Sequence, residues 1–83
     1  MLHTEVMQRE WIHYFLMSDT PSRRNFCRER MRMFNVTKRI FRREAEQFIR
    51  EEEYRLEKLR GLIEQEIENY EAEERAKINR DEE

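Results

Sequence analysis

Arginine and phenylalanine are interleaved through the first half of this chain in a pattern that could do chemistry. Arg23, Arg24, Arg28, Arg30, Arg32, Lys38, Arg39, Arg42 and Arg43 occur with Phe26, Phe34 and Phe41 among them. Such mixtures bind single-stranded nucleic acid, with arginine on the phosphates and aromatic rings stacked on the bases. Here the phenylalanines keep helical register, which suits a packed apolar face flanked by arginines. Docking of the arginines on an acidic protein surface is therefore favoured over nucleic acid. The second half offers carboxylates: Glu51, Glu52, Glu53, Glu64, Glu66, Glu68, Glu71, Glu73 and Glu74. Acid–base catalysis needs such groups converging on one reacting centre, whereas these spacings distribute them around a helix.

Other chemistries find little support. His3 and His13 are the only histidines, and neither has a ligand partner four residues on. Cys27 is the single cysteine, which excludes an internal disulfide and suits a reducing compartment. There is no Gly-rich phosphate loop, nucleophile elbow or paired-cysteine motif. The chain reads as a non-enzyme, with no cofactor, no metal and no small-molecule substrate.

The elements that must carry these residues look helical throughout. Charged residues make up 43% of the 83 positions, with one Gly and one Pro, so turn punctuation is scarce. Thr4 is a candidate N-cap for a short helix over Glu5–Met17. Val6, Met7, Trp11, Tyr14, Phe15 and Leu16 give that helix more apolar surface than it can hide alone. Ser18 to Ser22 is the one clear break, with Pro21 suited to the first turn of a new helix and Asp19 or Thr20 as its cap. From there no residue forces a stop until the acidic end, and a helix over residues 22–78 would extend roughly 85 Å. Gly61 either weakens that helix or marks the close approach of a neighbouring backbone.

An apolar stripe runs along this segment. Cys27, Phe34, Phe41 and Phe48 recur every seven residues, and the series then steps by one to Ile49, Leu56, Ile63 and Tyr70. Ala45, Leu59, Leu62 and Ile67 widen it. The step disfavours a long homodimeric coiled coil and suits a nearly straight helix lying against unlike neighbours. Charge is polarised along the same segment. Residues 21–50 hold ten Arg/Lys against three Glu, net +7, and residues 51–83 hold six against thirteen Asp/Glu, net −7. That order opposes the helix macrodipole, so the pattern points to a partner with its own charge gradient.

The expected fold is all-α: a short N-terminal helix and linker over 1–20, then one long charge-polarised helix over 21–83 with no independent globular core. Such a chain is expected to be partly unfolded or self-associated until its partner orders it. No apolar run approaches the ~20 residues of a membrane span. Neither a secretory signal nor a cleaved mitochondrial presequence is expected.

The segment Leu59-Arg60-Gly61-Leu62-Ile63-Glu64-Gln65-Glu66-Ile67-Glu68-Asn69-Tyr70-Glu71-Ala72-Glu73 resembles the helical segment of small ciliary microtubule inner proteins of the cilia- and flagella-associated type. Arg23-Arg24-Asn25, with Trp11 before it, sits at a similar remove to basic and Trp positions in that family. The chain departs from the family at Glu74-Arg75-Ala76-Lys77-Ile78, where the family continues with Leu and later Gly. The resemblance implies a non-catalytic structural protein in the cytoskeleton, lining the lumen of axonemal doublet microtubules of a cilium or flagellum. Tubulin and neighbouring inner proteins would be its partners. Trp11, Phe15, Phe34, Phe41 and Phe48 would be the anchors, with Leu56, Leu59, Ile63 and Tyr70 continuing the contact face. Arg23, Arg24, Arg39 and Arg42 would meet acidic tubulin patches. The alternative is a peripheral helical subunit of a large mitochondrial or ribosomal assembly.

Overall fold

Between Met33 and Lys38 the chain leaves the helical path and turns, which overturns the expectation of one long helix. The computed structural model describes residues 2–51 and 56–82, which form α1 (His3–Met17), α2 (Pro21–Met33), α3 (Lys38–Glu51) and α4 (Leu56–Glu82). The stop after α2 has a definite chemistry. Asn35 takes a left-handed conformation with φ 60°, which Asn tolerates better than other residues with a side chain. Its N–H donates to the Arg32 carbonyl at 3.0 Å, and the Val36 N–H donates to the Met31 carbonyl at 2.9 Å. Those two bonds are the Schellman pair that satisfies a helix C-terminus. Val36 and Met31 are both buried, supplying the apolar contact such a cap carries. Thr37 then opens α3, its Oγ1 accepting the Ile40 N–H at 3.3 Å.

The other helix starts follow the same local chemistry. Thr20 caps α2, its hydroxyl accepting the Arg23 N–H at 3.2 Å, with Pro21 in the first turn. The first helix begins earlier than its sequence signal: Leu2 occupies the N-cap position without a side-chain hydrogen bond, and Thr4 lies within α1. Gly61 is exposed within α4, and a Cβ there would meet nothing within 4 Å. No backbone among the described residues approaches Gly61 closely.

The apolar stripe becomes an interior. Ile12, Phe15, Met31 and Phe41 are fully buried, and Leu16, Cys27, Val36, Ala45, Phe48, Leu59 and Ile63 complete the core around them. Helix α1 packs on α2 and α3, while α4 packs on α3 and α1. Helix α4 runs back along α3. Ile63 and Ile67 lie by Ile49 and Glu46 at one end, and Tyr70 lies on Phe41 and Glu74 on Lys38 at the other. Burying a large apolar side chain is worth about 1.5–3 kcal/mol. An unpartnered rod would forgo that for most of this set, so folding back prevails over helix continuity. The Cα radius of gyration is 13.4 Å.

The opposed charge halves meet each other. Arg28 of α2 holds Glu66 of α4 through two bonds of 2.8 Å, Nε to Oε2 and Nη2 to Oε1. Arg32 pairs with Glu73, and Lys38 with Glu74 at 3.4 Å. Arg9 of α1 reaches the buried Glu44 of α3 at 3.2 Å. Arg28, Arg32 and Lys38 of the basic half thus find their acids in the other half of the same chain.

Candidate partner-docking cleft

Helix α1 has apolar residues on two faces, and the core uses only one. Ile12, Phe15 and Leu16 point inward. Met7, Trp11 and Tyr14, spaced as i, i+4 and i+7, form a second stripe that faces α2 across an open cleft, with Trp11 also packing on the edge of the core. Glu10, Met17, Ser18, Ser22, Arg23, Phe26 and Cys27 complete the lining of this cleft, whose volume is about 850 Å³. Tyr14, Met17 and Phe26 are about half exposed, at 51%, 49% and 54%. Met33, two turns beyond Phe26 on α2, is exposed as well.

The rings in the cleft are ordered against one another. Trp11 makes edge-on contacts with Tyr14 (centroids 5.4 Å apart, 64° between planes) and with Phe26 (5.8 Å, 67°). The Arg30 guanidinium lies over both Trp11 and Phe26, at 5.8 and 5.1 Å from their centroids. Trp11 Nε1 is buried without an acceptor among the described residues, which costs on the order of 1–3 kcal/mol. Cys27 forms part of the floor, and burial pushes its thiol pKa up against the lowering pull of Arg23. A thiol in that state is a packing group and not a nucleophile.

The other polar cluster is closed. Around the Arg28–Glu66 pair, Asn25 accepts from Arg28 at 2.6 Å and Asn69 donates to Glu66 at 3.0 Å. The Arg28 guanidinium also stacks 5.6 Å above Phe15. Its pKa is raised, first by the hydrogen bond to Glu66. Tyr70 lies beside them, its hydroxyl donating a long 3.5 Å bond to the Val36 carbonyl. Burial, then the charge of Glu66, pushes the Tyr70 pKa up to about 12. Every group here has an internal partner, so the cluster is a clamp. Among the described residues no group of three His, Cys, Asp or Glu is placed to hold a metal ion. His13 packs its ring on Phe48, with centroids 5.0 Å apart.

The residues singled out from the sequence are therefore divided. Trp11 lies in the cleft and Arg23 on its lip. Phe15, Phe41, Phe48, Leu59 and Ile63 are in the core, Tyr70 is half-buried against it, and Phe34 is half-buried at the end of α2. The Phe34 carbonyl accepts a bond from Gln8 Nε2 at 2.8 Å. Arg24 is half-buried, and Arg39 and Arg42 are exposed on other faces. Leu56 opens α4, but its side chain lies outside the described residues. Phe26 and Arg30 belong to the Arg/Phe cluster and Tyr14 to the surplus apolar surface of α1, and the fold brings them together at the cleft; Met17 is the lining residue with no such signal in the sequence. Residues 59–73, which carry the ciliary resemblance, turn Leu59, Ile63 and Glu66 inward. No family model, curated protein or solved structure matches the chain.

Proposed function

We propose that this chain is a non-catalytic helical module that takes its place in a larger assembly by docking through the α1/α2 cleft. The observation that carries this reading is the run of Tyr14, Met17 and Phe26, each about half exposed and adjacent to Trp11, in a protein that has a separate core. Contiguous apolar patches rimmed by polar residues mark interaction sites, and aromatic side chains dominate interface energetics. The setting is the lumenal wall of axonemal doublet microtubules, with tubulin and neighbouring inner proteins as partners. That setting rests on the resemblance of residues 59–73.

Cofractionation with salt-stripped doublet microtubules tests both levels. Wild-type protein is expected to stay with the doublets, and Phe26→Glu to be released while remaining helical. Recovery of the wild type in a mitochondrial or ribosomal fraction would replace the axonemal setting with the alternative one. Full retention of Phe26→Glu would remove the cleft as the docking surface.

A further inference from the structure

The cleft carries an ordered pair of charges along with its apolar surface. Arg23 and Arg30 are seven residues apart on α2, so they stand on one face of that helix two turns from each other. Arg23 lines the cleft, and Arg30 lies over its two central rings. Among the described residues, neither pairs with a carboxylate. Arg28 and Arg32, on the other face of α2, are both engaged by α4. Stacking on Trp11 and Phe26 holds the Arg30 guanidinium in place, and its edge makes only a weak 3.6 Å bond from Nη1 to the Met33 sulfur, which a carboxylate would outcompete. The α1 wall holds one carboxylate in the lining, Glu10, which would repel an acidic flank laid on that side. Within the lining the cation, Arg23, stands on α2 and the carboxylate, Glu10, on α1, so acid is favoured along the α2 side; Glu29, also on α2, lies with Arg30 in the adjoining pocket.

From this we infer that the cleft receives an acidic amphipathic helix of a partner protein. A bulky apolar side chain of that helix seats among Trp11, Tyr14 and Phe26, and two carboxylates two turns apart pair with Arg23 and Arg30. The mode is helix-in-groove recognition, with guanidinium–carboxylate bonds giving register. This rests on the docking role proposed for the cleft and adds the chemistry of what docks.

Trp11 is the only tryptophan and reports directly from the site. The full chain is titrated with two designed Trp-free amphipathic peptides of about five helical turns. They share one Leu stripe; one carries Glu two turns apart on a single flank, and the other carries Lys at those positions. The Glu peptide is expected to shift Trp11 emission saturably, with affinity falling as salt rises and falling at least tenfold in the Arg23→Glu/Arg30→Glu variant. The Lys peptide is expected to be at least tenfold weaker on the wild type and to gain on that variant. Equal affinity for both peptides, no response to either, or unchanged affinity in the variant would overturn the inference. So would a concentration-dependent dimer of the free chain that Phe26→Glu dissolves, since a second copy would then be the occupant. Retention on doublets without peptide binding sinks this partner chemistry alone. Peptide binding with release from doublets sinks the axonemal setting alone.

Discussion

Arg28 and Arg30 lie two residues apart on one helix and have opposite employment. Arg28 faces α4, where it holds Glu66 through two bonds and stacks on Phe15. Arg30 faces the cleft, stacked on Trp11 and Phe26, with no carboxylate partner among the described residues. The same contrast holds for the surfaces around them. The α2/α3/α4 side pairs basic with acidic residues and covers its aromatics, while the α1/α2 side leaves aromatics and cations in the open. The first side accounts for the fold, and the second is the one on which the proposed docking rests.

Truncating aromatics on the two sides should separate them most strongly. Phe41 is fully buried, and Phe41→Ala is expected to cost about 3–5 kcal/mol, enough to unfold much of a small domain. Phe26→Ala removes a half-exposed ring and is expected to change stability by less than about 1 kcal/mol. Chemical denaturation measures both, and similar losses would erase the distinction.

The arginine pair gives the next largest difference. Removing Arg28 leaves Glu66, 3% exposed, without its counter-charge, a change that costs about 3 kcal/mol for a buried pair. Arg30→Ala loses cation–π contacts worth about 0.5–1 kcal/mol at a partly exposed site. A Leu–Leu replacement of Arg28 and Glu66 should recover most of the first loss, since apolar packing substitutes well for buried ion pairs. Failure of Arg28→Ala to destabilise more than Arg30→Ala would place the clamp elsewhere.

Smaller effects test the turn that makes the two sides. Asn35→Val places a β-branched residue at φ 60°, with an expected loss of about 1–2 kcal/mol. Asn35→Gly should be neutral or mildly stabilising. At Gly61, where a Cβ meets nothing within 4 Å, Ala is expected to raise stability by about 1 kcal/mol. A melting temperature that falls in Gly61→Ala would restore a packing role for that glycine.

Much of the local structure was readable from residue types. The break within Ser18–Ser22 and the placement of Pro21 follow directly from the sequence, which leaves Asp19 and Thr20 both open as the cap that Thr20 proves to be. The stop at Asn35 was obscured because Phe34 keeps the seven-residue stripe in phase across it. A helical period cannot tell one long helix from successive helices presenting a face to a shared core. Only Asn35 and Thr37 distinguish them, and neither excludes a helix by itself. Charge polarity was equally visible and equally ambiguous, since a complementary gradient can come from another molecule or from the chain folding back. The cleft was partly legible as surplus apolar surface on α1. Its second wall depends on which face of α2 the bundle leaves outside, and that is decided by tertiary packing.

Small-angle X-ray scattering of the monomeric chain most directly tests whether the two charge halves pair within one molecule. The fold described here has a Cα radius of gyration of 13.4 Å, and a hydrated value only a few ångströms larger is expected. A radius of about 25 Å, that of a straight helical rod of roughly 85 Å, would contradict it and return the basic and acidic halves to separate partners.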